Sequence, residues 1–283
     1  MPKASALVRL LRPENDALMG LIVIVGALVE GGRLPRPTEA VVGFLVGFTL
    51  SASAMVLNDI ADLEVDRVND PSRPLPSGAV SLRVAWAAFA SLSLAGLALA
   101  ALQGLDELLI AVASYLVAVV YDLRGKRYGL PGNAMVAFTG VSPLLYGALL
   151  AGGLGLVIDL EALMIFLAMI GREVVKGVAD VEGDMANGIR TLAVTLGRRG
   201  ASAVSASFFA AAIALSPLPP VMGLANVFLY SVPVALADAA FIAASLSVLR
   251  SPDRLTALRA KEVELAGYAV ALLGFALGAL GRP

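Results

Sequence analysis

Residues 85–102 read AWAAFASLSLAGLALAAL, a run of 18 residues without a charged side chain. A helix needs about 20 predominantly apolar residues to cross the hydrocarbon core of a bilayer. Similar runs recur along the whole chain, for example DALMGLIVIVGALV at residues 16–29. Because backbone groups in lipid must hydrogen bond within the protein, these runs predict helices. The sequence therefore predicts an all-α, polytopic membrane protein.

Composition supports this prediction and narrows the chemistry. Of 283 residues, 59% are hydrophobic and 15% are charged, and the mean hydropathy is +0.86. A soluble domain of this length would need more polar residues to cover its surface. The chain has no cysteine and no histidine, which excludes disulfides, thiol catalysis, zinc sites built on these residues and imidazole acid–base chemistry. Catalysis would depend on carboxylates, amides, Tyr, Lys, Arg or a metal held by oxygen.

Turn residues divide the chain into nine predicted spans. We expect a single domain over residues 1–283, with the N-terminal apolar stretch kept as an uncleaved first span. The spans are 15–32, 38–60, 80–103, 105–122, 131–153, 157–180, 198–217, 224–250 and 258–281.

The distribution of Lys and Arg predicts the orientation. Of 21 such residues, only Arg33, Arg36 and Arg282 fall on one side of this topology, and the other 18 fall on the opposite side. Basic residues accumulate in cytoplasmic loops. We therefore expect the N-terminus and the loops after the even-numbered spans to face the cytoplasm, with any active site on that side of the cell membrane.

A short repeat suggests an internal duplication. Residues 61–66 (ADLEVD) align with residues 179–184 (ADVEGD) at a constant offset of 118, and Asn69 then aligns with Asn187. Each copy follows an apolar span, the second and the sixth. This placement predicts two related four-helix halves, about 15–122 and 131–250, plus a ninth helix.

The acidic segments form helical faces. At 100° per residue, Asn58, Asp59, Asp62 and Asp66 share one face. Like charges at such spacing at a membrane margin destabilise a helix and call for compensation. Mg²⁺ prefers carboxylate oxygens and keeps positions open for water and phosphates. A pair of acidic faces could hold Mg²⁺ against a diphosphate; a solvated acidic helix end is the alternative.

Basic residues lie beside these acids along the chain. They suit a diphosphate whose charge two metal ions neutralise only in part. For the loop at residues 124–127, a role in setting the topology alone is the alternative. The residues are Arg67, Arg73, Arg124, Lys126, Arg127, Arg172 and Lys176.

Together these segments resemble the UbiA superfamily of intramembrane prenyltransferases. Residues 58–66 resemble its NDxxDxxxD motif, and Asp180-x-x-x-Asp184 resembles its second DxxxD motif. Residues 66–78 look like the stretch that follows the first motif. Residues 121–127 (YDLRGKR) are similar to a YxxxKR-like loop, although position 122 is often Pro or Ser there. The resemblance spans nearly the whole chain.

The resemblance implies Mg²⁺-dependent transfer of a prenyl group from an allylic diphosphate, with release of pyrophosphate. It implies two metal ions. The implied metal ligands are Asn58, Asp62, Asp66, Asp180 and Asp184, and Asp59 joins these four aspartates as a catalytic residue. The implied diphosphate-binding residues are Arg67, Lys126, Lys176 and Tyr121.

The acceptor is a finer inference. Residues 172–184, Thr191-Leu192 and the opening LRPEN at residues 11–15 look most like the archaeal digeranylgeranylglyceryl phosphate synthases of this superfamily, but Glu14 stands where His is familiar. The implied reaction moves a geranylgeranyl group to geranylgeranylglyceryl phosphate, forming the second ether of archaeal lipids. An aromatic acceptor such as 4-hydroxybenzoate is the alternative. Candidate acceptor-binding residues are Arg12, Asn15, Arg73 and Arg190.

Other interpretations and residues remain open. A secondary transporter would place its acids near the bilayer midplane, and a phosphotransferase of the CDP-alcohol type would have Gly and Arg between its acids. Within the predicted spans, Asp238 and Glu173 are candidates for either packing or a substrate chamber. Besides the bilayer, the prenyl diphosphate and the acceptor, we expect no nucleic acid and no obligate protein partner.

Overall fold

A computed structural model describes residues 3–186 and 188–282. Within these ranges the chain is all α-helical apart from connections, and nine helices have 19 residues or more. These long helices are α2 (Pro13–Gly31), α3 (Pro37–Ala61), α5 (Leu82–Gln103), α6 (Leu105–Leu123), α7 (Leu130–Leu150), α8 (Leu156–Ala186), α9 (Leu192–Leu215), α11 (Val227–Arg250) and α12 (Arg254–Leu280). The short helices are α1 (Lys3–Leu11), α4 (Leu63–Asn69), α10 (Leu218–Val221) and a 3₁₀ turn at Gly125–Arg127.

Each long helix corresponds to one predicted span, and most ends agree within three residues. Two helices differ. Helix α8 continues to Ala186, six residues beyond the predicted end, because its hydrogen bonds persist after the apolar run stops. Helix α9 begins at Leu192, and its backbone is non-helical at Gly197 (φ 72°, ψ 166°), next to the predicted start at 198.

Six of the helices in the described part of the chain are long and apolar enough to cross a membrane: α3, α5, α7, α9 with α10, α11 and α12. Helices α2, α6 and α8 carry acidic residues within their length. Large apolar side chains such as Leu94, Leu102 and Phe228 are more than 70% exposed on the outside of the helices. A surface of this kind suits contact with lipid, and the protein is a multi-pass membrane protein.

The long helices pack in a closed series. Neighbours in the sequence are neighbours in space from α2 to α12, and α12 returns to contact α2 and α8. Arg282, just after α12, reinforces this closure, since it donates hydrogen bonds to the carbonyls of Leu224 (2.8 Å) and Glu30 (3.2 Å). The first and last long helices therefore lie side by side.

Glycines bring the first helix of each predicted half into close contact. A Cβ atom on Gly26 of α2 would collide with the backbone carbonyl of Leu144 in α7. Reciprocally, a Cβ on Gly147 of α7 would collide with the carbonyl of Val23. Small residues allow the backbones of membrane helices to approach in this way. This contact anchors the centre of the molecule.

The two acidic segments differ in backbone. In the first, α3 ends at Ala61 and α4 begins at Leu63, with Asp62 between them. The hydrogen bonds from the Asp62 amide to Asn58 (2.9 Å) and from the Asp66 amide to Asp62 (2.8 Å) keep the direction of the chain. The second segment lies in the uninterrupted α8. Asn187, which the sequence alignment pairs with Asn69, lies outside the described residues.

Candidate active site

One cavity of about 1130 Å³ lies where the two acidic segments meet. Asp62 and Asp66 line it from the first segment, and Asp180 and Asp184 line it from α8. Lys126, Arg124 and Arg127 from the connection after α6 also line it, as does Arg254 at the start of α12. Asp122 and Glu182 complete the acidic lining. The cavity therefore combines six carboxylates from distant parts of the chain with a group of cations.

Asn58 and Asp62 point toward α6. The Asn58 amide donates a hydrogen bond to the Asp122 carboxylate (2.8 Å). One turn later, Lys126 donates to Asp62 (2.6 Å) and lies 3.6 Å from Asp122. These contacts join α3 to α6 and hold the Lys126 ammonium at the edge of the cavity.

Asp59 and Asp66 are held by two arginines. Arg12 donates to the buried Asp59 carboxylate (2.5 Å), and Arg73 lies 3.6 Å from the same group. Arg73 also forms an ion pair with Asp66. Partial burial alone would lower the pKa of the Arg73 guanidinium, but its hydrogen bond to Asp66 and the two negative charges raise it above its ordinary value. These ion pairs fasten α4 and the following loop to α3.

The second pair of acids lacks such cations. In the described part of the chain, no Lys or Arg forms an ion pair with Asp180 or Asp184. Helix α8 is about 46 Å long at 1.5 Å per residue, longer than a hydrocarbon core of about 30 Å, so its last turn extends beyond the bilayer. Burial at the cavity wall raises the pKa of the Asp184 carboxyl, and the Asp180 carboxylate raises it further.

Deeper along α8 lies a second polar group. Glu173 is 9% exposed and sits between Arg172 and Lys176, each 3.4 Å from its carboxylate. Tyr121 of α6 is half-buried, and the charges of Lys176 and Glu173 interact with its hydroxyl group. Tyr121 and Lys176, both predicted to bind the diphosphate, are therefore together, although neither lines the cavity itself.

Several predicted site residues lie elsewhere. Arg67 is exposed and pairs with Glu64 on its own helix (2.6 Å). Arg190 and Asn15 are exposed and do not line the cavity. Arg12 and Arg73, predicted to bind the acceptor, are engaged with Asp59 and Asp66 as described. The structure thus brings Asp62, Asp66, Asp180 and Asp184 to one cavity, whereas Asn58, Asp59 and part of the predicted basic set do not line it. The roles of all these residues stay predictions.

Three charged cavity residues, Asp122, Glu182 and Arg254, were given no role from the sequence. Asp122 lies four residues before Lys126, a spacing that brings side chains together on a helix and that could have identified it. Arg254 belongs to the last basic cluster, and no local pattern connects that cluster to residues 62 or 180. Asp238, which had no recognisable partner in the sequence, accepts a hydrogen bond from Ser216 (2.6 Å).

The donor set of the cavity fits a hard divalent cation. Asp62, Asp66, Asp180 and Asp184 offer only oxygen, the ligand type that Mg²⁺ prefers. Among the described residues no Lys or Arg lies within ion-pairing distance of the last two, and Lys176, one turn before Asp180, pairs with Glu173 instead. Within the described residues, no three acidic side chains already meet in a metal-binding arrangement. A bound ion would therefore draw together carboxylates from the two walls.

Comparisons with known proteins identify the relatives of this chain. Residues 19–273 match the model of the UbiA prenyltransferase family. A digeranylgeranylglyceryl phosphate synthase from Thermococcus kodakarensis is 36% identical over 278 residues, which cover 98% of this chain and 99% of the relative.

Solved structures agree with this comparison. A structure of digeranylgeranylglyceryl phosphate synthase in membranes superposes with a TM-score of 0.84 at 30% identity, covering 99% of both chains. A UbiA homologue from Archaeoglobus fulgidus bound to GPP and Mg²⁺ gives a TM-score of 0.71 at 20% identity, covering 94% of this chain and 99% of the homologue. At that lower identity the likeness concerns the fold alone.

Proposed function

This chain belongs to the UbiA prenyltransferase family, and from that membership we propose that it transfers a geranylgeranyl group from geranylgeranyl diphosphate to geranylgeranylglyceryl phosphate. The product would be the second ether of an archaeal membrane lipid. The enzyme is a prenyltransferase, and its similarity to digeranylgeranylglyceryl phosphate synthases extends over nearly its full length. The proposed reaction follows from that similarity together with the cavity chemistry.

The observation that carries the proposal is the meeting of both acidic segments at one cavity with Lys126 between them. Four carboxylates alone would repel a diphosphate. With divalent cations they become a diphosphate-binding surface, since hard ions bridge carboxylate and phosphate oxygens. The surrounding cations then neutralise the charge that remains.

We assign the metal to Asn58, Asp62, Asp66, Asp180 and Asp184 and expect two Mg²⁺ ions. Bound there, Mg²⁺ would polarise the diphosphate oxygens and stabilise their charge as the group departs. The A. fulgidus homologue was solved with GPP and Mg²⁺ bound, which supports this choice of ion. Asp59, engaged with Arg12, contributes by supporting the segment that carries Asp62 and Asp66.

The remaining roles belong to the chain's own residues. Lys126, on the cavity wall beside Asp62, would donate hydrogen bonds to the departing diphosphate oxygens. Lys176 and Tyr121, farther from the cavity than Asp180, would lie beside the bond between the prenyl group and the diphosphate, which breaks in the reaction. Apolar walls around that point would exclude water and so suppress hydrolysis of the allylic cation. The role of Arg67 in binding diphosphate remains a prediction from its position after the first motif.

An acceptor that carries a phosphate requires cations outside the diphosphate site. Arg124, Arg127 and Arg254 line the cavity. Arg190 is exposed and directly follows Ile189, which also lines the cavity. These cations favour geranylgeranylglyceryl phosphate over an uncharged acceptor. An aromatic acid such as 4-hydroxybenzoate, which carries one negative charge, is the second candidate.

We also propose nine membrane spans arranged as two related halves plus α12, with the N-terminus and the cavity facing the cytoplasm. The nine long helices and the packing of α2 against α7 support this arrangement. So does the asymmetry of basic residues, 18 of 21 on the cavity side, since such residues accumulate in cytoplasmic loops.

The deciding experiment is a turnover assay on purified protein with Mg²⁺ and geranylgeranyl diphosphate. Geranylgeranylglyceryl phosphate and 4-hydroxybenzoate are offered separately, with EDTA as the control. Metal-dependent product from the glyceryl phosphate alone supports the proposal. Product from the benzoate alone assigns the enzyme to the aromatic branch. If diphosphate is consumed but neither acceptor yields a prenylated product, both acceptors are rejected.

A further inference from the structure

A polar stripe runs along α8 from the cavity into the bundle. Asp184, Asp180, Lys176 and Glu173 follow one another at spacings of four, four and three residues, which places them on one face of the helix. The first two line the cavity. Glu173 lies at the inner end, seven residues or about 10 Å beyond Asp180.

The position of Glu173 relative to the diphosphate site is informative. If the diphosphate is held among Asp62, Asp66, Asp180 and Asp184, the prenyl chain must extend away from these charges toward the apolar interior. Its reacting carbon, C1, then lies on the inner side of the diphosphate. Along α8, the next polar side chains on this face beyond Asp180 are Lys176 and Glu173.

The surroundings of Glu173 leave it able to accept a proton. Arg172 and Lys176 lie 3.4 Å from its two carboxylate oxygens, at the long end of hydrogen-bonding distance. A carboxylate has about four lone-pair positions, so these contacts leave capacity for an acceptor hydroxyl. By contrast, Asp59 and Asp66 are engaged with arginines, and Asp62 is engaged with Lys126.

A second layer of polar groups holds this end of the stripe. Glu264 is fully buried, and neither of its carboxylate oxygens has a hydrogen-bond partner among the described residues. The Tyr268 hydroxyl and Arg172 Nε are also unpaired there, and the charge of Arg172 acts on both α12 side chains. Buried polar groups normally find partners, so this region is equipped to receive polar atoms of a ligand.

From this placement we infer that Glu173 is the general base that accepts the proton of the acceptor hydroxyl. The inference rests on the proposed function, which supplies an alcohol as the nucleophile. In the step, the acceptor oxygen bonds to C1 of the prenyl group and its O–H bond breaks, with the proton passing to the Glu173 carboxylate. The bond between C1 and the diphosphate oxygen breaks, and pyrophosphate leaves with the electron pair.

The test compares Glu173→Gln with the wild-type enzyme. General-base catalysis contributes about 10²- to 10⁴-fold, so we expect kcat with geranylgeranylglyceryl phosphate to fall at least about 100-fold. The KM for geranylgeranyl diphosphate should change by less than about threefold, because Glu173 forms no ion pair with Lys126 or with the carboxylates assigned to the metal and Gln can still accept a hydrogen bond from Lys176. Glu262→Gln, the same change at an exposed position of α12, should match the wild type.

A thiol analogue of the acceptor separates proton removal from a structural role. A thiol has a pKa of about 8.5, whereas bulk water, whose O–H resembles that of an alcohol, has a pKa of about 15.7. A thiol therefore depends far less on a base. We expect Glu173→Gln to lose most of its turnover with the alcohol and to retain most of it with the thiol, relative to the wild type on each acceptor. Equal losses on both acceptors would overturn the inference.

Two further outcomes are decisive. Wild-type kcat in folded Glu173→Gln overturns this inference and leaves the proposed function standing, whereas absence of wild-type product from the glyceryl phosphate overturns the proposed function itself. If Glu173→Gln does not fold, Glu173→Asp keeps the charge but withdraws the carboxylate by one methylene. We expect a kcat loss of about tenfold or more there, and an unchanged kcat contradicts the inference.

Discussion

The Lys126 ammonium lies 2.6 Å from the Asp62 carboxylate, although the two residues are 64 positions apart. This ion pair crosses from the break between α3 and α4 to the connection after α6. It places one cation directly among the carboxylates assigned to the metal. Its replacement provides the most direct test of the diphosphate site.

Replacing Lys126 with Met should reduce kcat about 10²- to 10³-fold, because removal of one preorganised donor to developing negative charge typically costs that much. Turnover with Mg²⁺ and geranylgeranyl diphosphate measures the effect. Arg259→Met, at an exposed position of α12, serves as the matched control and should remain fully active. An active Lys126→Met enzyme would contradict the role assigned to this residue.

Asp62→Asn and Asp180→Asn should each abolish turnover while the protein stays folded. An amide keeps the shape of the side chain but removes the negative charge on which Mg²⁺ binding depends. Besides turnover, the Mg²⁺-dependent binding of geranylgeranyl diphosphate should be lost in both variants. Asp106→Asn, an exposed acid at the opposite end of α6, should bind and turn over normally. Activity retained in either site variant argues against a metal site shared by the two segments.

Arg73→Ala should destabilise the protein by about 1–3 kcal/mol. The change leaves the nearly buried Asp66 without its partner, and a buried charge that loses its partner costs up to about 3–5 kcal/mol; the partial exposure of Arg73 reduces that value. Thermal unfolding in detergent measures the change.

Arg67→Ala provides the comparison for Arg73→Ala. Its ion pair with Glu64 joins side chains that are 56% and 78% exposed, and such pairs contribute at most about 1 kcal/mol. We therefore expect almost no shift in the melting temperature. A large shift in melting temperature for Arg67→Ala together with none for Arg73→Ala would show that Arg67, and not Arg73, stabilises the fold.

Gly147→Ala should destabilise the bundle by about 1–3 kcal/mol, the usual cost of an added methyl group in a well-packed core. Its Cβ would collide with the Val23 carbonyl, so α2 and α7 would have to separate. Gly177→Ala is the control, because a Cβ there meets its neighbours only at 3.6 Å or more. The better helix propensity of Ala should leave that variant unchanged or slightly more stable. Equal unfolding temperatures for Gly147→Ala and Gly177→Ala would show that α2 and α7 are not closely packed at Gly147.

The proposed orientation can be tested because the chain contains no cysteine. A single cysteine at Ser72, exposed in the loop after α4, should react with a membrane-impermeant maleimide only in inverted vesicles. A cysteine at Leu34, 67% exposed between α2 and α3, should react only in right-side-out vesicles. The natural chain provides the unlabelled control, and the opposite pattern would invert the topology.

The sequence was sufficient to predict an all-α membrane protein and its long helices, whereas the assignment of the acids as site residues stays a prediction. Spans follow from apolar runs. Asp180 and Asp184 were placed together because residues four apart on a helix lie on the same face. The end of α8 was predicted too early, since charged residues end an apolar run but do not end a helix. Its continuation to Ala186 is what keeps Asp184 on the same rigid element as Asp180.

Long-range pairs were beyond local reasoning. Nothing in the spacing of residues connects Asn58 to Asp122 or Arg12 to Asp59, because these contacts depend on how α1, α3 and α6 pack. Arg67 illustrates the converse. It follows the acidic segment directly along the chain, and in the structure it pairs with Glu64, three residues earlier on α4; its role in binding diphosphate stays a prediction.

The closure of the bundle by α12 has a consequence for biogenesis. A ribosome delivers α2 long before α12, so the contact between them cannot form until α12 has been made. Until then, the inner face of α8 and its polar stripe lack the helix that shields them. A nascent chain that stops before α12 therefore lacks the closure of the bundle, and we expect catalytic competence only once α12 has docked against α2 and α8.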